Sequence, residues 1–121
     1  MYRKQMIGKA GEHIASEFLK ERGYILLERN FRCRQGEIDI ISKDTSNEDL
    51  VFIEVKTRTN FLYGNPVEAV NNYKKKHLYN TAKYYVYKNV IENISIRFDI
   101  IEIFIKSNKV LINHIKQAID F

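Results

Sequence analysis

The fold of this chain is decided by the stretch Gly36-Glu37-Ile38-Asp39-Ile40-Ile41 and by a second stretch, Phe52-Ile53-Glu54-Val55-Lys56. In the second stretch apolar and charged residues alternate, which is typical of a half-buried β-strand and puts Glu54 and Lys56 on one face. The polar residues 43–49 between the stretches predict a hairpin loop. A symmetric hairpin would set Asp39 directly across from Glu54, with Cβ atoms roughly 5 Å apart.

The first stretch alternates in the same way, with Ile38 and Ile40 on one face and Glu37 and Asp39 on the other. In the same register Glu37 lies across from Lys56. We therefore interpret Glu37 either as a third acid of a site or as a salt-bridge partner of Lys56, and we favour a structural supporting role.

The acids and the lysine of this predicted hairpin suit metal-dependent cleavage of phosphodiesters. Asp39 and Glu54 would be carboxylate ligands of Mg²⁺ (or Mn²⁺), which prefers oxygen ligands, and the carbonyl of Val55 would be a third. Lys56 would hold its ammonium on the metal side, where it could orient the attacking water or neutralise charge developing on the phosphate. If neighbouring cations lowered its pKa, it could instead act as a general base.

Composition bounds the class of protein. The chain has 121 residues, 45% of them hydrophobic, with one proline and five glycines, which predicts a single domain over residues 1–121 with a substantial core. No run approaches the ~20 apolar residues of a membrane span, so we expect a cytoplasmic protein with no membrane partner. One cysteine and three scattered histidines argue against a disulfide or a structural zinc site.

Twenty basic residues against fifteen acidic ones give a net charge of +5, which favours a polyanion if the charges cluster. Basic residues flank both acidic stretches and recur downstream, and we interpret them as nucleic-acid contacts. For the lysine triplet taken alone, a solvated helix face is the favoured interpretation. The candidate nucleic-acid-binding residues are Arg32, Arg34, Arg58, Lys74, Lys75 and Lys76.

The order of elements predicts an α/β sandwich with a mixed central sheet. Apolar residues at helical spacing indicate a helix over residues 5–22 with Gly23 as its stop, followed by a short strand at 24–27 and the hairpin strands at 37–42 and 50–57. Asn65-Pro66 supplies a cap and a first-turn proline, so a second helix should begin there and run to about Lys88. Two further strands are predicted over residues 94–105 and 110–115.

The chain resembles the YraN-like family of small bacterial proteins over nearly its whole length, in the motifs Gly8 to Leu19, Arg29-Asn30-Phe31-Arg32, Gly36 to Ile41, Phe52 to Arg58 and Arg97-Phe98-Asp99. That family is similar to the PD-(D/E)xK nucleases, with the restriction-endonuclease-like three-layer sandwich, and among them to archaeal Holliday junction resolvases. The dipeptide that names the nucleases is incomplete here, since Ile38 precedes Asp39.

The resemblance implies a site. It adds Glu12, otherwise readable as one exposed charge on a helix, to the metal ligands Asp39 and Glu54, with Lys56 as the fourth catalytic residue. It implies an endonuclease acting on DNA, with branched or otherwise structured DNA among the candidate substrates, and it is compatible with a homodimer, because resolvases act as symmetric dimers. Whether Arg97 and Asp99 form an ion pair or share a partner stays open.

Two other functions are compatible with the same residues. One is a nucleic-acid-binding protein that keeps the nuclease fold and the basic surface without cleaving. The other is an interaction scaffold whose partner surface is formed by tyrosines of the second helix, although most of those rings are expected in the core or on an ordinary helix surface. DNA and RNA are not distinguished by the sequence.

Overall fold

The described part of the chain, residues 2–59 and 72–120 with side chains from residue 6 onward, forms two helices and one five-stranded sheet in a computed structural model. The order is α1 (Tyr2–Glu21), β1 (Tyr24–Cys33), β2 (Gly36–Asp44), β3 (Asp49–Arg58), α2 (Asn72–Lys88), β4 (Ile96–Lys106) and β5 (Lys109–Ile115). The strands lie in the sheet in chain order, and all neighbours are antiparallel except β3 and β4. The predicted mixed sheet is confirmed.

The helices cover opposite faces of the sheet because successive residues of the central strands point to opposite sides. Ala15 and Leu19 of α1 pack in one core cluster with Val51 and Ile53 of β3. The other cluster holds α2 side chains together with the alternate β3 residues. Its members include Leu50, Phe52, Leu78, Ala82 and Tyr85. The predicted α/β three-layer fold is therefore confirmed.

Most predicted elements agree with the structure in type and place, but β1 does not. The sequence pattern predicts its end at residue 27, whereas the strand continues to Cys33. As an edge strand it pairs on one side only, so its polar residues stay in solvent and the expected apolar pattern disappears. The predicted start of α2 at Asn65-Pro66 lies outside the described residues, whereas its predicted end at Lys88 is confirmed.

The β2–β3 register confirms the predicted hairpin. Five pairs run from Ile40↔Ile53 to Asp44↔Asp49, which is the symmetric pairing expected from the sequence. The ladder ends one pair before Asp39 would meet Glu54. Beyond that point the two strands are no longer paired through their backbones, and the candidate site lies there.

A buried ion network closes the other end of the hairpin. Arg97 Nε and Nη2 donate to the Asp99 carboxylate at 2.9 and 3.0 Å, while Nη1 donates to Asp44 and Asp49 at 3.1 and 3.3 Å. His114 Nε2 lies 2.7 Å from Asp99 Oδ2. Of the two arrangements left open for Arg97 and Asp99, the direct ion pair is therefore the one observed.

Neither described helix is both long enough and apolar enough to cross a membrane.

Candidate functional site

The separated ends of β2 and β3 open into a cavity of about 270 Å³ beneath the first turns of α2. Asp39 and Glu54 line it from the sheet, and Tyr73, Lys74 and His77 line it from the helix. It is half-open to solvent and therefore accessible to a ligand from outside. A cavity of this volume is slightly below the ~300–1,000 Å³ of most small-ligand sites, so it suits a small group such as a metal ion with a phosphate.

Asp39 lies where the alternation of β2 slips. Ile38 packs in the cluster beneath α2, whereas Ile40 packs in the cluster beneath α1, so the two do not share a face as predicted. The prediction was wrong here: pairing with β3 stops at Ile40, and the ladder with β1, which continues through Ile38, includes no partner for Asp39, so β2 is irregular at this residue. Instead of a backbone pair, the Val55 N–H donates to Asp39 Oδ2 at 2.8 Å.

The Asp39 carboxyl titrates far from its ordinary range. Burial, reinforced by the nearby carboxylates of Glu54, Glu12 and Glu37, raises the pKa of Asp39 to about 6, against the opposing hydrogen bond from Val55. Several acids are thus gathered around one point, and their mutual repulsion would be relieved by a bound cation.

Glu54 is held by two lysines through one of its oxygens. Glu54 Oε1 lies 3.2 Å from Lys56 Nζ and 2.5 Å from Lys74 Nζ. Its other oxygen, Oε2, is buried and has no hydrogen-bond partner among the described residues. A buried carboxylate oxygen without a partner is costly, so this atom is a natural position for a ligand.

The pKa values of Lys56 and Lys74 are shifted in opposite directions. Burial and the adjacent Lys74 lower the pKa of Lys56, although Glu54 opposes this change. Burial also acts against Lys74, but its hydrogen bonds to Glu54 and Lys56 prevail and raise its pKa. Lys74 is therefore the neighbouring cation that the general-base interpretation of Lys56 requires.

Glu12 approaches Asp39 from the opposite face. It lines a second cavity, of about 300 Å³, with Asp39, Val55 and Thr57. Its helix can lie this close because Gly11 has no side chain, since a Cβ there would overlap Thr57 Oγ1. Glu12 is half-buried and not the fully exposed charge that a lone helical glutamate suggests.

These residues fit a divalent cation with hard oxygen ligands. Asp39 lines both cavities, Glu54 lines one of them, and its buried Oε2 has no hydrogen-bond partner among the described residues. No group of three histidines, cysteines or acids within residues 2–59 and 72–120 has the spacing of a complete ligand set. A cation would therefore be held chiefly by Asp39 and Glu54, with water and phosphate oxygens completing an octahedral shell.

Of the other predicted residues, some form ion pairs, and the remaining basic residues are exposed or half-buried. Arg32 and Glu37 form a surface salt bridge of 3.2 Å beside the cavity, so the alternative in which Glu37 pairs with Lys56 is wrong. Lys56 pairs with Glu54 instead, because the ladder never extends to residues 37 and 56. Arg34 and Lys76 are exposed, and Lys75 and Arg58 are half-buried.

Sequence reasoning missed three contributors to the cavity, all on α2. Lys74, predicted as a nucleic-acid contact, pairs directly with Glu54. Tyr73 and His77 were not assigned to the site, yet both line it. Their spacing on one helical face was visible in the sequence, but the crossing of α2 over the hairpin is a tertiary feature that spacing does not give.

Comparisons with known proteins place the chain among close relatives. A model of the uncharacterised protein family UPF0102 matches residues 11–103. A UPF0102 protein of Clostridium botulinum (strain 657 / Type Ba4) is 50% identical over 107 residues, covering 88% of this chain and 85% of the relative. One of Caldicellulosiruptor saccharolyticus is 45% identical over 117 residues, covering 95% and 98%.

Among solved structures, that of Pyrococcus furiosus SfsA in complex with Ca²⁺ is similar to 98% of this chain and 65% of the SfsA chain, with 14% identity and a TM-score of 0.35. At that level of likeness, the fold assignment rests on the sheet and helices described above.

Proposed function

The chain belongs to the uncharacterised protein family UPF0102, and from its site we propose that it is a metal-dependent endonuclease hydrolysing phosphodiester bonds in DNA. Membership of this family confirms the YraN-like resemblance of the motifs. The nuclease activity is our inference from the chemistry of the cavity.

One observation carries the proposal: a buried carboxylate oxygen of Glu54 that has no partner within residues 2–59 and 72–120 lies beside a carboxyl whose pKa is raised, with two lysines at the same point. An ion pair formed only for stability would satisfy its polar atoms, as the Arg97 network does. Buried acids with perturbed pKa values in an accessible cavity are instead characteristic of functional sites.

The residues divide the chemical work as follows. Asp39 and Glu54, with Glu12 from the opposite face, would hold Mg²⁺ or Mn²⁺, which supplies Lewis-acid activation of the phosphate and of water when bound. Lys74 neutralises Glu54 Oε1 and lowers the pKa of Lys56. Lys56 then either takes a proton from the attacking water or neutralises the charge growing on the phosphate oxygens.

The proposal is tested by incubating purified protein with linear, nicked and four-way-junction DNA in Mg²⁺, Mn²⁺ or EDTA. We expect cleavage with metal only, and a loss of at least roughly 100-fold in Asp39→Asn and Lys56→Met. Glu12 and Glu17 give a matched pair on one helix, because Glu17 is exposed and pairs with Lys20 on the surface. Glu12→Gln should lower the rate, and Glu17→Gln should not.

Cleavage that persists undiminished in both Asp39→Asn and Lys56→Met would identify a contaminating nuclease and contradict the proposal.

A second candidate is a nucleic-acid-binding protein that retains this fold without cutting. It is favoured by the pairing of Glu54 Oε1 with two ammonium groups, which already neutralises one of the two acids. Binding would then survive EDTA, weaken steeply with salt, and be unaffected by Asp39→Asn. The cleavage experiment with the same DNAs separates the two candidates.

A further inference from the structure

The outer face of α2 carries an exposed row of aromatic rings, Tyr73, His77, Tyr84 and Tyr87, which we call the stacking stripe. Their spacings of four, seven and three residues place them on one side of a helix with 3.6 residues per turn. Tyr73 and Tyr87 are 74% and 82% exposed, which is unusual for such large rings, and Tyr84 is 36% exposed. We propose that this stripe binds an unpaired nucleic-acid strand by stacking its bases on the rings.

Three rings of the stripe are held in place by the protein. The Tyr73 and His77 ring centroids are 4.4 Å apart, and His77 Nδ1 lies 2.9 Å from the Gln35 carbonyl, which fixes its ring. Tyr84 stacks on buried Phe31 with centroids 6.4 Å apart and an angle of 30° between the rings. Rings fixed in this way lose little conformational entropy when a base stacks on their open side.

The stripe begins at the nuclease cavity. Tyr73 and His77 line that cavity together with Asp39 and Glu54. From Tyr73 to Tyr87 the helix rises by roughly 20 Å, which is the length of about six stacked nucleotides at ~3.4 Å each. A strand lying along the stripe would therefore deliver a phosphate to the two acids.

The positive charge of α2 favours a polyanion as the molecule that binds the stacking stripe. The helix Asn72–Lys88 contains five lysines and no aspartate or glutamate. Helical spacing places Lys76 and Lys83 along one flank of the stripe, and both are exposed. Alternation of stacking rings with backbone-neutralising cations is the arrangement that single strands require, because every base has a face to stack and every nucleotide a phosphate to pair.

This inference deepens the proposed function, on which it rests, by naming a substrate class. Bases in a continuous duplex stack on one another and have no face free for a side chain, whereas flaps, loops and junction arms do. The site would then cut strands with an unpaired segment next to the scissile phosphate. Unpaired DNA and RNA share this chemistry, and both belong in the test.

The experiment measures binding by fluorescence anisotropy in EDTA, with labelled single-stranded DNA, single-stranded RNA and duplex DNA. Tyr73→Ala and Tyr87→Ala should each weaken single-strand binding roughly 10-fold, while Tyr73→Phe, which keeps the ring, stays within about twofold of wild type. Tyr79 is the matched control, because it lies on the same helix, is 45% exposed and, by helical spacing, is displaced from the stripe beyond Lys83, whose Nζ lies 6.0 Å from its ring centroid. Tyr79→Ala should bind normally.

Salt dependence distinguishes the two kinds of contact. Lys76→Ala should reduce the slope of log affinity against log salt by about one charge, whereas Tyr73→Ala should weaken binding without changing that slope. Wild-type affinity that is equal for duplex and single strand, or tyrosine variants that bind as well as wild type, would overturn the stripe. Weaker binding by Tyr87→Ala that is explained entirely by conversion of a dimer to a monomer would overturn it too.

Cleavage in Mn²⁺, run on the same variants and DNAs, separates this inference from the proposed function. If cleavage depends on metal but is unchanged in Tyr73→Ala and Tyr87→Ala, the proposed role of the stacking stripe is wrong and the proposed nuclease activity is supported. If single-strand binding depends on the tyrosines but no metal supports cleavage, the stacking stripe is supported and the proposed nuclease activity is wrong.

Discussion

The half-buried carboxyl of Asp39, a candidate metal ligand, lowers the stability of the fold when it is ionised. Its carboxyl is held among other acids and away from water, which raises its pKa to about 6. An unfolded aspartate titrates near 4, so the folded protein binds this proton more tightly. Folding is therefore favoured below about pH 4, and that contribution is lost as the pH rises through 6. At neutral pH the ionised Asp39 destabilises the fold.

Asp39→Asn should accordingly stabilise the metal-free protein at pH 8, by about 1–3 kcal/mol. Asparagine keeps an oxygen that can accept the Val55 N–H and removes the charge. Urea unfolding in EDTA measures the difference, which should disappear near pH 4. The exposed change Glu17→Gln controls for a general charge effect. An equal gain at pH 4 and pH 8 would contradict the electrostatic cause.

Binding of a cation by Glu54 and Asp39 should increase the stability of the folded protein. A ligand that binds only the folded state raises its stability by mass action, about 2.7 kcal/mol at 100 times the dissociation constant. Saturating Mn²⁺ should therefore raise the melting temperature by several degrees in wild type, and by much less in Asp39→Asn and Glu54→Gln. Lys43→Gln, at an exposed surface pair, is a control. An identical rise in all four proteins would show that the ion binds elsewhere.

At the scale of elements, the sequence determined the strands better than the place where they separate. Alternation predicted the β2–β3 register, because one buried face makes every other register costly. The slip between Ile38 and Ile40 lies where pairing with β3 ends and where Asp39 has no partner in the β1 ladder, and Lys74 reaches Glu54 because α2 crosses the hairpin. Both depend on contacts between distant parts of the chain, and so local pattern does not contain them.

The position of α1 depends on Gly11. An added Cβ would overlap Thr57 Oγ1 and lie 2.9 Å from Thr57 Cβ, so Gly11→Ala must push the helix off β3. We expect a loss of about 1–3 kcal/mol and reduced cleavage, because Glu12 moves with the helix. Gly8 is the matched control: nothing lies within 4 Å of an added Cβ, and Gly8→Ala should stabilise by up to about 1 kcal/mol.

Thermal unfolding and the cleavage rate of both glycine variants check this expectation. If the contact with Thr57 is the cause, Thr57→Ala in the Gly11→Ala background should recover part of both losses. Equal effects of the two glycine substitutions would show that helix propensity alone is responsible.

At the scale of the whole molecule, the two ends of the β2–β3 hairpin differ in how their buried carboxylates are paired. Buried acids lie at both. At the turn end Arg97 pairs with Asp44, Asp49 and Asp99, and every oxygen it contacts is satisfied. At the open end Glu54 Oε2 stays unpartnered among the described residues. The closed end satisfies its buried charges within the fold, whereas the open end carries the candidate site.

The closed end should govern unfolding by acid. Although burial opposes it, hydrogen bonds from Ser46 and Arg97 lower the pKa of Asp44 to about 2, and contacts with His114 and Arg97 likewise lower that of Asp99. Because both folded pKa values lie below the unfolded value near 4, their stabilisation is complete above pH 4 and is lost as the pH falls towards 2. For Asp44 alone this amounts to about 2 kcal/mol.

Asp44→Asn tests this assignment. At pH 7 the variant should be less stable than wild type, because Arg97 loses one charged partner, but its stability should fall less between pH 4 and pH 2. Urea unfolding across that range measures both effects. Asp120→Asn, at an exposed position near the end of the chain, should keep the wild-type pH dependence. A fall as steep in Asp44→Asn as in wild type would mean that other carboxyls, and not the Arg97 network, set the acid limit of the fold.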